Sequence, residues 1–478
     1  MQSFSPYRAF DHVYNISRFH RIQGSQGLID AANYIYDNLK VKEKQMILYD
    51  YDGQTKYGNF TAPMGWDPVQ GELSVGGKKL IGFDEVPLFI AGHSPSGDVE
   101  GIVTEDVQKA DGRILMTSSR DARKQYLVAV KRGALGVIFY SDTLPETAVP
   151  YRGLFLTKAE LSYTLPAVSI PRNLVNKVRD QKVRIKVETK TGPKKMPVIY
   201  ATTGSRFLVS AHMCHPFPGA NDNASGAGLS LELANAGAKA DFLWIPEHYG
   251  SLAFFSDHDV SYDFGLNLDM VGENQAITGS ILQISYTPYS QKSFYEELVK
   301  VIVRDLDYPS IRYNFVDYDI GSDHAVLVQN GIPAMDFTNW PDRFYHSSED
   351  FADKVSTETL SFVGEIVMEF LSRDVPIYLE EAWKAKYKAY LLEKFGREDA
   401  EKLSTLRRTK YRNFLPNASR YMTPDNAEGF PDIRGKGVAY VEYANLSAQL
   451  GEEDALRIAA KAYGSTPEDI ASLKTYFG

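Results

Sequence analysis

Apolar positions recur along this chain with two different periods. Across residues 15–40, Leu28, Ala31, Ile35 and Leu39 fall three or four apart, which predicts a helix with one buried face. Gly and Pro then punctuate residues 52–72, which predicts loops. From about residue 75 short apolar runs take over. GRILMTSS (112–119) and LGVIFY (135–140) predict strands, with the helical stretch DARKQYLVAVKRGA between them, giving a strand–helix–strand unit. PAVSI (166–170) and VRIKVE (183–188) add strands. Residues 75–190 hold no cluster of His, Cys or carboxylates, so this module reads as scaffold or lid, and TGPKK (191–195) reads as the linker that ends it.

Beyond the linker, FLVSA (207–211), FLWIP (242–246) and FGLNL (264–268) are short apolar strands alternating with helices, one near Ser225 and one over residues 360–371. That alternation is the mark of an α/β layer with a largely parallel sheet. Residues 379–478 differ: a charged helical stretch, EAWKAKYKAYLLEKFGREDAEKL, is followed by a Pro/Gly/Asn-rich segment and two short amphipathic helices. Such helices either pack, solvated, on their own domain or form a homo-oligomer contact.

A length of 478 residues exceeds one ordinary domain of roughly 100–200 residues. With 44% hydrophobic and 12% aromatic residues the chain can bury a core. The net charge of −9 and the lack of a long basic run argue against nucleic-acid binding. One cysteine precludes an intrachain disulfide framework. No apolar run approaches the roughly 18 residues of a membrane span, and MQSFSPYRAFDHVY has no leader-like core, so a cytoplasmic protein without membrane contact is expected.

Six of the nine histidines fall within residues 212–346. His212 follows FLVSA, Glu247 and His248 follow FLWIP, and Asp269 follows FGLNL; α/β sheets bind ligands at these carboxyl ends. Asp222 lies in GANDNASG, a glycine-flanked turn that opens a helix, and His346 lies on the loop RFYHSSED. Imidazole and carboxylate together suit zinc, with cobalt or manganese as alternatives. Two metals about 3.5–4 Å apart need one bridging carboxylate and further terminal ligands. His212, Asp222, His248, Asp269 and His346 can supply them, leaving Glu247 to take a proton from an activated water. The competing reading, core histidines and solvated carboxylates, suits any one of these residues better than all five.

SAHMCHPFPGANDNASG, IPEHYGS, LNLDMVG, GSDHAVLVQNGIPAM and FYHSSED occur in the same order as the motifs of the co-catalytic zinc aminopeptidases, the family that also contains glutamate carboxypeptidase. The resemblance covers about residues 15–60 and 195–375; residues 75–190 resemble the protease-associated domain some members carry. It implies an α/β protein: a three-layer α/β/α zinc-peptidase domain with a mixed, mostly parallel sheet from residues 1–65 and 191–378, a protease-associated-like insert over 66–190, and a helical extension over 379–478. It further implies two zinc ions per chain. His212 and Asp269 would hold one, His346 the other, with Asp222 bridging and Glu247 as general base. The family's second Glu is His248 here, expected to serve as a ligand in its place, and Cys214 stands where the family has an Asp that orients the first His. Asp323 and His324 match a motif near the site and imply hydrogen-bond support. Tyr345 resembles a Tyr that stabilises the oxyanion in some members. His12, His20, His93, His215 and His258 are expected to be structural or surface residues. The implied function is a metal-dependent exopeptidase, an aminopeptidase acting on peptides. The alternatives are a one-metal amide-bond enzyme, deacylase or glutaminyl-cyclase-like, and an inactive binding protein on the same fold.

Overall fold

Four apolar runs form the centre of the molecule. In the computed structural model, which describes residues 3–58, 60–408, 410, 422–430, 433 and 436–477, strands Asp241–Ile245, Phe207–His212, Phe264–Leu268 and Ala334–Trp340 lie side by side in that order and parallel. Asp241–Ile245 and Phe264–Leu268 are buried at every residue, as parallel strands covered on both faces must be. Lys194–Thr202 and then Glu43–Tyr51 extend the sheet antiparallel on one side. On the other, Ile281–Ser285 runs antiparallel to Ala334–Trp340 and carries the parallel edge strand Tyr313–Val316.

Side chains alternate across this sheet. Val209, Ala211, Phe242 and Trp244 meet helices Pro6–Ser17, Gln26–Asn38, Gly226–Ala236, Phe294–Asp305 and Thr357–Ser372 on one face. Leu208, Leu243 and Ile245 meet helices Tyr249–Asp257 and His324–Gln329 on the other, which gives three layers, α/β/α.

Local chemistry changes three of the expected elements. The helix expected across residues 15–40 is two, Pro6–Ser17 and Gln26–Asn38. The chain turns at Gly24, where φ is +73° and an added Cβ would stand 2.4 Å from the Tyr51 ring; Ser25 then caps the second helix by accepting from the Leu28 N–H. Residues 52–72 are not all loop, since Gly65–Val75 is a strand. TGPKK is no linker either: strands Lys182–Gly192 and Lys194–Thr202 run up to Pro193 from both sides. The alternation in KVRIKVE, exposed then buried, continues almost to the junction and keeps the chain extended.

Residues 65–192 build a sheet of their own, in the order Lys78–Gly82, Gly65–Val75, Lys182–Gly192, Gly97–Thr104, Ile114–Thr117, Gly136–Phe139, Ala167–Ser169. The strand–helix–strand unit within it is Ile114–Thr117, Ala122–Lys131 and Gly136–Phe139.

The C-terminal region is helical: Ile377–Phe395, Arg397–Ser404, Gly437–Leu450, Glu452–Tyr463 and Pro467–Phe477, with three helices where two were expected after the Pro/Gly/Asn-rich segment. Much of that segment lies outside the described residues. Leu446, Ile458 and Leu473 form a core that also takes in Leu127 and Val128 of the insert and Tyr289 beside the central sheet. An ion pair from Arg132 to Glu428, 2.6 Å, fastens the extension to the insert. Helix Ile377–Phe395 buries only Leu391 and Phe395 and leaves Ile377 and Tyr378 exposed at 79% and 69%. Among the described residues no helix is long and apolar enough to cross a membrane.

Gly226 opens the helix that follows the Asp222 loop, and a Cβ there would lie 2.0 Å from the Leu268 carbonyl oxygen. Backbone meets backbone, so nothing flexible can yield. Gly226→Ala is expected to lower the calorimetric midpoint by several degrees, at about 2–4 °C per kcal/mol for a domain of this size. An unchanged midpoint would mean that helix and strand do not pack this closely.

Candidate metal centre and cleft

The turn that carries Asp222 is stapled to the end of strand Phe264–Leu268. Asn221 Oδ1 accepts from Gly272 N (3.1 Å), Asn223 Oδ1 from Met270 N (2.9 Å) and Gly226 N (3.0 Å), and Ser225 Oγ from Val271 N (2.9 Å). Asn223 Nδ2 donates to Leu268 O (2.9 Å). With Asn221, Asn223 and Ser225 committed to this backbone, Asp222, joined to Asn223 by a cis peptide, directs its carboxylate into the cluster of imidazoles. Asp350 receives the N–H groups of Asn221 (2.9 Å) and Asp222 (3.0 Å). Fully buried Arg21 donates to the carbonyls of Pro218 (2.9 Å), Gly219 and Asp222 (3.5 Å). Burial lowers the Arg21 pKa to about 10, against the pull of Asp222 and Asp350, so the guanidinium stays charged at neutral pH.

Histidines and carboxylates meet on both sides of Asp222. His212 Nε2 lies 3.4 Å from Asp222 Oδ1 and 3.1 Å from Asp269 Oδ1. Asp222 Oδ2 lies 3.1 Å from His346 Nε2 and 3.5 Å from His215 Nε2. Two triads result, His212–Asp222–Asp269 and His215–Asp222–His346, each with ligating atoms within 4.8 Å of one another. Asp222 belongs to both.

The protonation of His215 tests whether this donor set fits a cation. Its Nδ1 lies 2.7 Å from the Pro216 carbonyl, which can only accept, so Nδ1 carries the proton and Nε2 the lone pair. Nε2 is buried without a hydrogen-bond partner. Burial, with His346 and Arg21 adding to it against Asp222, lowers the pKa to about 3. A lone pair thus faces a carboxylate oxygen, an arrangement that repels until a cation stands between them. His212 sets Nδ1 3.1 Å from the Cys214 carbonyl and turns Nε2 to the carboxylates. Burial opposes its charged form, but Asp269 overcomes this and holds the pKa well above the usual value. Imidazole and carboxylate donors of this number and burial fit zinc.

Of the residues expected at the site, His212, Asp222, Asp269 and His346 come together. His215, expected to be structural, joins them; the signal available was a second His three positions beyond His212, just past the same strand. His248 lies outside both triads. It adopts φ +60° at the start of helix Tyr249–Asp257, donates its N–H to Asp323 Oδ1 (2.8 Å) and places Nε2 3.4 Å from Glu247 Oε1. Glu247 lines the same cleft as the triads, its N–H on Cys214 Sγ (3.1 Å) and its carbonyl held by Gln23 Nε2 (3.0 Å). Burial raises its pKa well above the carboxylate range; His212 opposes this, while Asp269 and Asp323 reinforce it. His324 is fully buried with Nε2 2.9 Å from the Asp319 carbonyl.

Tyr345 stacks on His346 at 3.8 Å between centroids, and burial keeps it a neutral phenol at any ordinary pH. Tyr151 is an unforeseen neighbour. It comes from the insert, donates its N–H to the His346 carbonyl (2.7 Å) and sets its ring 5.2 Å from His215 and 5.1 Å from His346. The module that reads as scaffold therefore supplies a wall of the cleft, whose volume is about 470 Å³.

Residues 198–371 match the family model of Peptidase family M28. A zinc aminopeptidase from Bacillus subtilis shares the fold with 18% identity and a TM-score of 0.56, over 77% of this chain and 95% of its own. An aminopeptidase from Aneurinibacillus sp. strain AM-1 shares it with 21% identity and a TM-score of 0.52, over 77% and 93%. A peptidase candidate from Clostridium acetobutylicum matches 98% of this chain and 95% of its own, with 16% identity and a TM-score of 0.57. No curated protein sequence matches the chain.

Acidic groups crowd behind the cleft. Burial and the charge of Asp342 push the Glu273 carboxyl up to about 10 from 4.5, and Asp350 is pushed up to about 8. A raised folded-state pKa means that the folded chain keeps a proton the unfolded chain has lost, so stability present at low pH drains away as pH rises from about 4.5 towards 10. Glu273→Gln removes that loss. Denaturation profiles are expected to show the variant gaining on the natural protein from pH 5 to 9 and matching it near pH 4. A gap that shrinks with rising pH would refute the buried neutral acid.

Proposed function

We propose that the protein is an aminopeptidase that removes N-terminal residues from peptides with two zinc ions per chain. The observation that carries this is the pair of triads sharing Asp222, at the carboxyl ends of three neighbouring strands, with Glu247 beside them. His212, Asp222 and Asp269 would hold one metal, and Asp222, His215 and His346 the other. His215 thus takes the place expected of His248, whose role becomes that of a neighbour to the base. The metals, when bound, supply Lewis acidity that lowers the pKa of a water and polarises a carbonyl.

Glu247 accepts the proton of the attacking water and passes it to the leaving amine. Tyr345 and Tyr151 flank His346 and offer neutral phenols to the tetrahedral oxyanion. The insert, read as a protease-associated-like module, closes one side of the cleft through Tyr151, which suits the end of a peptide better than a chain running through. The free thiol of Cys214 suits a cytoplasmic setting. Exposed Ile377, Tyr378 and Leu379 carry the reading of a homo-oligomer through the extension, which light scattering tests.

Glu247→Gln is expected to keep both metals and lose about a thousandfold or more of aminoacyl-p-nitroanilide hydrolysis. Comparable activity would dismiss the base. His215→Ala should lose one metal by elemental analysis while His248→Ala retains two; the reverse pattern would return His248 to the metal. One metal per natural chain, without release of p-nitroaniline, would favour the deacylase or glutaminyl-cyclase-like chemistry instead.

A further inference from the structure

Four arginines line the cleft: Arg120, Arg123 and Arg152 from the insert, and Arg343 from the segment before His346. Arg152 is the unusual one. It is only 7% exposed, yet its guanidinium meets just backbone carbonyls: Nη1 donates to Tyr151 O (2.9 Å) and Nη2 to Tyr140 O (3.5 Å). Its Nε is buried without a partner. Arg123, at the same cleft and equally buried, is paired with Glu160, which is how a fold ordinarily keeps a guanidinium out of water. The acids nearby are engaged elsewhere. Asp121 accepts from Lys124 N (3.1 Å) as a helix cap, and Asp342 sits against Glu273 and accepts from Phe344 N (2.7 Å).

Arg120, exposed and bonded to Thr143 Oγ1 (3.0 Å), adds a second positive charge close enough to be felt by Arg152. Burial and that repulsion bring Arg152 down to about 10, which leaves it charged at neutral pH. A fold that buries a cation without an anion loses stability by it. Here the cost falls on the residue next to Tyr151, whose ring touches the two imidazoles of the second triad.

We infer that Arg152, with Arg120 at the mouth, is a subsite for a carboxylate of the substrate, so that the cleft prefers peptides carrying an anionic group near the bond to be cut. The inference rests on the aminopeptidase reading and names its substrate class. Two carboxylates have this chemistry: an acidic side chain, and the α-carboxylate of a di- or tripeptide. Arg152 and Arg120 in this role are specificity residues. They meet a part of the substrate that does not react and leave the proton transfers to Glu247.

The test compares acid and amide pairs on the zinc-loaded protein: Glu- against Gln-p-nitroanilide for the side chain, and Leu-Leu against Leu-Leu-amide for the α-carboxylate. One acid is expected to exceed its amide about tenfold or more in kcat/KM, mainly through KM, which is the loss typical of one charged hydrogen-bond partner. The pair that shows the gap identifies the source. Arg152→Gln and, separately, Arg120→Gln should each narrow it. Arg120 is exposed, so its variant folds, and Arg152→Gln should keep or raise the thermal midpoint because it removes an unpaired buried charge.

Calorimetric binding of the same four compounds to zinc-loaded Glu247→Gln separates this inference from the reading beneath it. Tighter binding of the acid there, lost on adding Arg152→Gln, supports the subsite even if the natural protein cleaves no peptide. Equal cleavage and equal binding of acid and amide, or a preference that survives both arginine variants, overturns it.

Discussion

A shared carboxylate set between imidazoles on both sides governs this molecule. Asp222 faces His212 across one oxygen and His215 with His346 across the other, and the proton that would reconcile His215 with it is already spent on the Pro216 carbonyl. Much of the surrounding chain serves to hold that mismatch. Asn221, Asn223 and Ser225 tie the turn to residues 268–272, Asp350 takes up its amides, and Arg21 gathers its carbonyls from beneath. The stapling groups lie in stretches far apart in sequence, so the turn keeps its form only when the N-terminal segment, the central sheet and the loop after His346 are all in place.

What could be read in advance follows from periodicity. His212, Asp269 and Glu247 were legible because each ends an apolar strand, and in a parallel layer strand ends share one rim. Asp222 and His346 needed motif order as well, since neither stands at a strand end. His215 escaped because nothing in one dimension says which of two histidines three residues apart turns its free nitrogen inward; the Pro216 carbonyl decides that. Tyr151 and Arg152 escaped for a different reason. They lie on a loop of the insert and reach the cleft only because backbone bonds from Tyr151 to His346 and between Pro150 and Ser347 lay that loop across it. Pro193 misled in the opposite sense, marking a break where the chain passes from one sheet to the next without leaving the extended conformation.

Position 248 illustrates how a histidine beside the cluster can stand apart from it. A His at this position turns its backbone into a left-handed corner, anchored by Asp323, and the second triad takes its imidazole from a different strand end.

The passage from insert to peptidase layer through Pro193 has a consequence for turnover. Two strands run directly from one sheet into the other, the extension is wedged against both, and the loop of Tyr151 is bonded to that of His346. Walls joined in this way would present a substrate, on the proposed reading, with much the same geometry before and after it enters. Little entropy then remains to be lost on binding. On the aminopeptidase reading, selection then falls to what can enter between these walls.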